Sequence, residues 1–219
     1  IDEGIILTSG DALLAPGPND NDGASAQLGT AGDVDLSAES GEITNDANVL
    51  EFMFETDTSD LFFNFVFASE EYNEFVFDFN DPFAFFLDGV NIALVPGTTD
   101  VVSVDNVNCG NPYNPPADGN NCDKYNNNDL DDGGPFFDIQ YDGFTDVFTA
   151  TALGLAPGPH TLKVVIADAG DTALDSAVFI EAGTFSGEPP EPMPAPGTAL
   201  LLAAGLGLAG AVRRGRRKH

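Results

Sequence analysis

Basic, histidine and indole side chains are scarce in this 219-residue sequence. It contains seven Lys and Arg together, two His, two Cys and no Trp. The chain has no His-rich zinc motif, no Gly-x-Ser-x-Gly nucleophile elbow and no glycine-rich phosphate loop. His160, at the start of a predicted strand, is interpreted as a surface residue. These absences argue against zinc chemistry, nucleophilic catalysis and phosphate binding.

The few basic residues are also unevenly placed. Five of the seven lie in the last seven positions, so that residues 1–191 carry 36 Asp and Glu against only Lys124 and Lys163, a formal charge of −34. Such a domain repels nucleic acid and anionic membranes. It attracts cations, above all Ca²⁺, whose ligands are carboxylate and carbonyl oxygens. The alternative is that the negative charge serves solubility or adaptation to salt and does not indicate a cation-binding site.

Alternating apolar residues predict strands along most of the chain. The rows that carry this pattern begin at Gly4, Val49, Leu61, Phe75, Phe83, Val101, Phe144, His160 and Ala177. Turn residues separate them, and no stretch before Pro189 has a helical period. We therefore predict an all-β fold, an antiparallel β-sandwich of the jelly-roll or lectin-like kind.

A long polar insertion, residues 108–135, interrupts the strand pattern and contains both cysteines. Cys109 and Cys122 are expected to form a disulfide if the protein is exported, because a thiol pair that binds metal would need a nearby His or third Cys. Further on, Asn127, Asp129 and Asp131 resemble the start of an EF-hand loop, but Asp132 and Asp138 stand where Gly and Glu are needed. A similar match from Pro18 lacks the first ligand, and both segments are interpreted as mobile solvated loops.

The only long uncharged apolar run lies at the C-terminus. Residues 198–212 are Leu, Ala and Gly-rich, and an arginine-rich end follows them. The run approaches the roughly 17 residues that span a bilayer, and the basic end fits a cytoplasmic flank, so we predict one transmembrane helix. A buried core helix is the alternative, although such a helix would be amphipathic. The predicted organisation is an ectodomain at 1–187, a Pro-rich linker at 188–197 and the helix with its basic tail at 198–219.

This tail resembles the PEP-CTERM sorting signal of Gram-negative bacteria. Its three parts are the motif Pro190-Glu191-Pro192, the apolar segment and the basic end. The resemblance implies export, an inner-membrane intermediate and cleavage by an exosortase, with delivery to the cell surface or biofilm matrix. The start at Ile1, without a Met or signal sequence, is interpreted as a secretory peptide already removed.

A second resemblance covers most of residues 1–186. The segments Phe67-Ala68-Ser69-Glu70-Glu71-Tyr72, Phe86-Leu87-Asp88-Gly89 and Ile166-Ala167-Asp168-Ala169-Gly170-Asp171 look like the choice-of-anchor L domain. That family comprises bacterial surface domains with different C-terminal anchors. The resemblance implies a secreted β-sandwich and brings no enzymatic activity with it.

Acidic residues at the predicted strand ends form the best candidate site. Glu70 and Glu71 follow one apolar row, and Asp168, Asp171 and Asp175 lie between two others. Carboxylates gathered at strand ends repel one another unless a cation neutralises them, so we predict that these five residues bind Ca²⁺. The alternative is that the three aspartates are turn residues that accept local backbone hydrogen bonds.

These observations favour a non-enzymatic surface or matrix protein that binds an extracellular polysaccharide or a surface protein. The alternative is a carbohydrate-active hydrolase that uses Glu70 and Glu74. On a strand, Glu70, Tyr72 and Glu74 would share one face, as the carboxylates of some sandwich-fold glycosidases do. Tyr72 stands where a central acid is expected, and no Trp is present to stack on a sugar.

Overall fold

The computed structural model describes residues 1, 3–113 and 118–190, and two antiparallel sheets organise them. The first sheet has six strands in the order β1-β11-β3-β8-β7, with β9 also paired to β3. Its strands are β1 (Gly4–Thr8), β3 (Asp60–Ser69), β7 (Tyr125–Asn127), β8 (Gly143–Thr145), β9 (Phe148–Leu153) and β11 (Ser176–Glu181).

The second sheet has five strands in the order β2-β10-β4-β5, with β6 paired to β4. Its strands are β2 (Thr44–Thr56), β4 (Pro82–Leu87), β5 (Val90–Asn91), β6 (Val102–Ser103) and β10 (Gly158–Ala169). Every residue of β4 is buried, because this strand lies inside its sheet and is covered on both faces. The two sheets confirm the predicted all-β class and its sandwich arrangement.

The core lies between the sheets and consists largely of phenylalanine. In β3 the predicted inward row Leu61, Phe63, Phe65 and Phe67 is buried, as period-two alternation requires. The ring of Phe65 contacts Phe85 of the facing sheet edge to face, with centroids 5.2 Å apart. Edge-to-face packing is the arrangement that aromatic rings prefer, so these side chains fix how the sheets meet.

A short helix, α1 (Val34–Ser40), covers the outer face of the second sheet. Asp33 caps its N-terminus by accepting hydrogen bonds from the backbone N–H of Asp35 and Leu36, and Gly41 ends it in the left-handed conformation. Leu36 packs with Phe86 and Val165 of the sheet below. The sequence pattern did not predict this helix, because two turns are too short to show a helical period.

Three local predictions were wrong. Phe75, Phe77 and Phe79 alternate but lie in a turn-rich segment that begins directly after β3, and the row beginning at Val101 contributes only β6. His160 is buried rather than on the surface, because its ring nitrogens contact the Asp88 carboxylate and the Ala156 carbonyl. At Phe77 and His160, contacts with Asp105 and Asp88 from other segments override the local pattern.

The Cys109–Cys122 disulfide is present, as predicted. It closes the insertion just before β7, which pairs with β8 at the edge of the first sheet.

The predicted transmembrane helix and the motif residues Glu191 and Pro192 lie outside the described residues, and only Pro190 of the motif lies within them. Among the helices of the described part, none has the length and apolar character needed to cross a membrane.

Candidate metal centre

The pairing of the strands brings several acidic residues to one end of the sandwich. Ser69, the last residue of β3, pairs with Ser176, the first residue of β11. In the other sheet, the start of β4 pairs with the last part of β10. The residues that flank these strand ends are called the buried acidic cluster: Glu70, Glu71, Asp81, Asp168, Asp171 and Asp175.

A hydroxyl group joins the two sheets within this cluster. The Ser176 hydroxyl donates to Asp81 Oδ2 at 2.7 Å and also lies 2.8 Å from the Ser69 hydroxyl. Asp81 accepts a further hydrogen bond from the backbone N–H of Ala169, at the end of β10. Asp81 therefore ties the ends of β4, β10 and β11 together.

Glu71 and Asp168 are the most unusual members of the buried acidic cluster. Their relative exposures are 0% and 1%, and no described residue donates a hydrogen bond to any of their four carboxylate oxygens. The Ser9 hydroxyl lies near Asp168 but donates to the Ser176 carbonyl instead. A buried carboxylate without donors is costly, because nothing replaces the water that it loses on folding.

The carboxylate of Glu70, on the side of the cluster that faces the first sheet, is also buried. Its relative exposure is 2%, and neither of its oxygens accepts a well-formed hydrogen bond, although the backbone N–H of Ala24 lies nearby. Its closest electrostatic partners include two further acids, Asp142 and Asp175, rather than a cation. The backbone N–H of Glu70 donates to the Asp175 carbonyl, which holds the segment against β11.

Asp171 and Asp175 differ from these three residues because they have donors. Asp175 accepts hydrogen bonds from the backbone N–H of Ala26 and from the Ser25 hydroxyl. Asp171 accepts one from the backbone N–H of Ala173 within its own turn. Only Asp171 therefore accepts the local hydrogen bond expected of a turn residue, whereas Asp175 holds a segment distant in sequence and Asp168 does neither.

The absence of a side chain at Gly10 leaves room for the Asp175 carboxylate. A Cβ at Gly10 would lie 1.7 Å from Asp175 Oδ2, so that any side chain there would displace the carboxylate. Gly10 thus serves packing around the cluster rather than a turn.

The described residues bring no basic side chain to the cluster. Lys163 contacts Asp33 and Asp35 at α1, and Lys124 contacts Asp123. His160 is held by Asp88. The acidic side chains are therefore left with each other and with neutral donors.

Burial is the main reason that the carboxyl pKa values in the cluster rise. Burial, then repulsion from Asp81, Asp171 and Asp168, raises the pKa of Glu71 to about 10. Burial, then repulsion from Asp142 and Asp175, raises the pKa of Glu70 to about 10. The pKa of Asp168 rises to about 8 for the same reasons, with Asp175 and Asp46 as its main charged neighbours. In water at neutral pH these groups hold protons or require a cation.

The chemistry of these side chains suits a hard cation, although their geometry is open. Glu70, Glu71 and Asp168 offer six carboxylate oxygens without hydrogen-bond donors, and Ca²⁺ takes six to eight oxygen ligands. Among the described residues these three do not bring one oxygen each within 4.8 Å of the others, so the structure does not place them together as one ligand set. The five residues predicted from sequence thus fall into two groups, three unpartnered acids and two partnered aspartates. Sequence reasoning missed Asp81, although its place directly before a strand that pairs with β10 is the signal that would have found it.

The strand geometry assumed for a glycosidase is wrong. β3 ends at Ser69, so Glu70, Tyr72 and Glu74 lie in a turn and do not share a strand face. Tyr72 is fully buried and donates its hydroxyl proton to the Val107 carbonyl. Glu70 is also buried, so it has no contact with solvent through which a sugar would approach.

Comparison with known proteins gives one match. A family model described as the Choice-of-anchor L domain matches residues 1–186. No curated protein and no solved structure matches the chain.

Proposed function

The chain belongs to the choice-of-anchor L family, and on that basis we propose an exported, Ca²⁺-stabilised protein of the cell surface or extracellular matrix that binds a partner rather than catalysing a reaction. The family match supports the surface association and favours a non-enzymatic role. The calcium, the adhesive role and the route of sorting are our inferences from the residues.

The observation that carries the calcium proposal is the set of unpartnered carboxylates in the buried acidic cluster. Glu70, Glu71 and Asp168 are buried without donors, and the described lysines are engaged elsewhere. A Ca²⁺ ion bound by Glu71 and Asp168, with Glu70 adjacent, would replace the lost hydration and remove the repulsion between strand ends. Binding to the folded state alone raises the free energy of unfolding by RT ln(1 + L/Kd), where L is the free ligand concentration, and this increase keeps growing with that concentration.

Calcium titration of the purified protein after chelation tests this proposal. We expect Ca²⁺ to bind and to raise the melting temperature, and we expect Glu71→Gln to lose most of that increase. Asp57→Asn, in the exposed turn between β2 and β3, is the matched control and should respond like the wild type. Absence of binding and of any melting shift in the wild-type protein would refute the proposal.

An outer-face groove supports the proposed binding role. It has a volume of about 990 Å³ and is lined by apolar residues that include Ile5, Val66 and Phe144, together with Asp138 and Asp146. Apolar floors with few polar groups are typical of binding sites. Extracellular polysaccharide and surface protein are the two proposed partner classes. A glycan array combined with reducing-sugar release should show binding without turnover, whereas turnover would contradict the non-enzymatic assignment.

The sorting route is a further part of the proposal and depends on the sequence of the tail. The Pro190-Glu191-Pro192 motif, the apolar run and the basic end resemble an exosortase substrate. We expect the mature C-terminus of the protein to differ between wild-type and exosortase-deficient cells. Identical termini in the two strains, measured by mass spectrometry, would exclude this route.

A further inference from the structure

A second acidic site lies where three loops meet, outside the buried acidic cluster. Asp22 comes from the loop before α1, Glu74 from the turn after β3, and Asp129 from the insertion. One carboxylate oxygen from each residue lies within 4.8 Å of the others. Asp142, just before β8, interacts electrostatically with all three. These four residues are called the loop acidic cluster.

The inner part of the loop acidic cluster is closed to water. Asp129 and Asp142 are buried, and Glu74 Oε1 is shielded from solvent without any hydrogen-bond donor among the described residues. Behind Asp142 lies Glu70, which is 2% exposed and whose two oxygens also lack donors. Three acceptor oxygens without donors therefore border the cluster, Glu74 Oε1 within it and the two Glu70 oxygens against its inner wall.

Neutral donors satisfy this cluster only in part. The Asn73 side-chain amide has two protons but faces three acceptors, Asn127 Oδ1 at 3.1 Å, Asp132 Oδ2 at 3.0 Å and Asp129 Oδ2 at 3.4 Å. Asn19 donates to Asp142 Oδ1. Asp129 Oδ1 also accepts hydrogen bonds from the backbone N–H groups of Asp131 at 2.7 Å and Asp132 at 3.3 Å. Glu74 Oε1 therefore stands out as the buried oxygen of the cluster without a donor among the described residues, and neither described lysine contacts the four acids.

Repulsion among the four acids adds to the cost of their burial. Burial, followed by repulsion from Asp129 and Asp22, raises the pKa of Glu74 to about 7. Burial also raises the pKa of Asp142 to about 8, with Asp22, Asp129 and Glu74 among the charged neighbours. A divalent cation would relieve this repulsion and supply the missing partner for Glu74 Oε1.

We propose that Asp22, Glu74 and Asp129 bind a second Ca²⁺-type cation, with Asp142 as an adjacent acidic group. The ligands are hard oxygen donors from three loops that are far apart in sequence, and no His or Cys is among them. The cation would cross-link the insertion to the turn after β3 and to the N-terminal loop. This site is independent of the cation proposed for Glu71 and Asp168.

The test is a Ca²⁺ titration by calorimetry on the chelator-treated full chain, with Asp22→Asn and Glu74→Gln as variants. Asp22 is exposed and Glu74 Oε1 has no donor to lose, so both substitutions should leave the fold intact. We expect each variant to lose one Ca²⁺ per chain or to bind it at least roughly tenfold more weakly, which corresponds to about 1.4 kcal/mol. Asp20→Asn, an exposed change in the same loop as Asp22, should bind like the wild type.

The same titration separates this site from the buried acidic cluster. If the two proposals are both correct, Asp168→Asn removes one ion and Glu74→Gln removes another, and the double variant removes both. Loss of calcium binding only in Asp168→Asn would overturn the loop site and leave the first proposal standing. Loss of calcium binding only in Glu74→Gln and Asp22→Asn would overturn the buried site and leave the loop site standing. If all three variants removed the same single ion, the loop site would be overturned.

Discussion

Asp81 and Asp168 have the same carboxyl group at the same end of the sandwich, but their surroundings differ. Asp81 accepts hydrogen bonds from the Ser176 hydroxyl and the Ala169 N–H, whereas Asp168 has no donor. Hydrogen bonds partly compensate Asp81 for burial, although its pKa still rises well above the usual value because of burial and the nearby Asp168 charge. Among the described donors, Asp168 has only the Ser9 hydroxyl nearby, which donates to the Ser176 carbonyl, and this difference separates a structural residue from a candidate ligand.

Replacement of Asp168 by Asn should therefore have opposite effects with and without calcium. Asn keeps the shape of the side chain but removes a charge that is buried without a partner. In EDTA at pH 8 we expect the variant to be about 1 kcal/mol more stable than the wild type, or roughly 2–4 °C higher in melting temperature. In excess Ca²⁺ it should be the less stable of the two proteins.

Differential scanning calorimetry in both buffers measures this reversal, with Asp57→Asn as the exposed control. A variant that is less stable than the wild type in EDTA as well would mean that Asp168 has a hydrogen-bonding role that the described contacts do not contain.

At the scale of elements, the end of β3 determines what the acidic residues can do. β3 pairs with β11 and β8 up to Ser69, and the chain then turns, so that the next residues point inward between strand ends. Had the strand continued through Glu74, alternate side chains would have faced solvent together, as a glycosidase pair requires. The turn instead buries Glu70, Glu71 and Tyr72.

The insertion is the segment that contains a covalent cross-link. The Cys109–Cys122 bond closes a loop with a sequence separation of 13 residues, just before the 3₁₀ turn Cys122–Lys124 and β7. In the chain-entropy account, closing a loop of this size restricts the unfolded chain and stabilises the native state by about 3 kcal/mol. The double variant Cys109→Ser, Cys122→Ser should lose a comparable free energy of unfolding.

Urea unfolding with and without a reductant checks the disulfide prediction. Reduction of the wild-type protein should reproduce the double variant, because the chain contains no other cysteine. A reductant that also destabilises the double variant would show that its effect has another cause.

For the whole molecule, buried carboxyl groups without cations make stability depend on pH. Carboxyl pKa values in an unfolded chain lie near 4. In the folded state burial, with like-charge repulsion added, raises the pKa of Glu74 to about 7, that of Asp168 to about 8 and that of Glu71 to about 10. Between about pH 4 and pH 10 the folded chain therefore holds more protons than the unfolded chain, so its free energy of unfolding falls as pH rises.

We therefore expect the protein in EDTA to be more stable at pH 5 than at pH 8. Added Ca²⁺ should raise the melting temperature far more at pH 8 than at pH 5, because protons and calcium compete for the same oxygens. Scanning calorimetry with NaCl of equal ionic strength as the control separates specific binding from screening. Equal stability of the calcium-free protein at the two pH values would contradict this account.

The strand content was predictable from the sequence because period-two alternation is a local property. The rows at Leu61, Phe83 and His160 form β3, β4 and β10, since their apolar side chains fill a core wherever those strands pair. The same rule failed at Phe75, Phe77 and Phe79, where the segment folds into a turn against the insertion. It also overlooked α1, which is capped by Asp33 and Gly41 but too short to be periodic.

By itself, the sequence determined the all-β class, the pairing of its only two cysteines and the excess of negative charge. The tertiary structure decided which carboxylates meet, because that depends on pairings between residues far apart in the chain, such as Ser69 with Ser176 and Phe83 with Ile166. The burial of these carboxylates also depends on tertiary structure. Glu71 and Asp168 are inaccessible to solvent because two sheets close over them. Asp129 was expected in a solvated loop, but the loops around it bury it. A carboxylate becomes a candidate ligand only when folding removes its water and provides no donor in return.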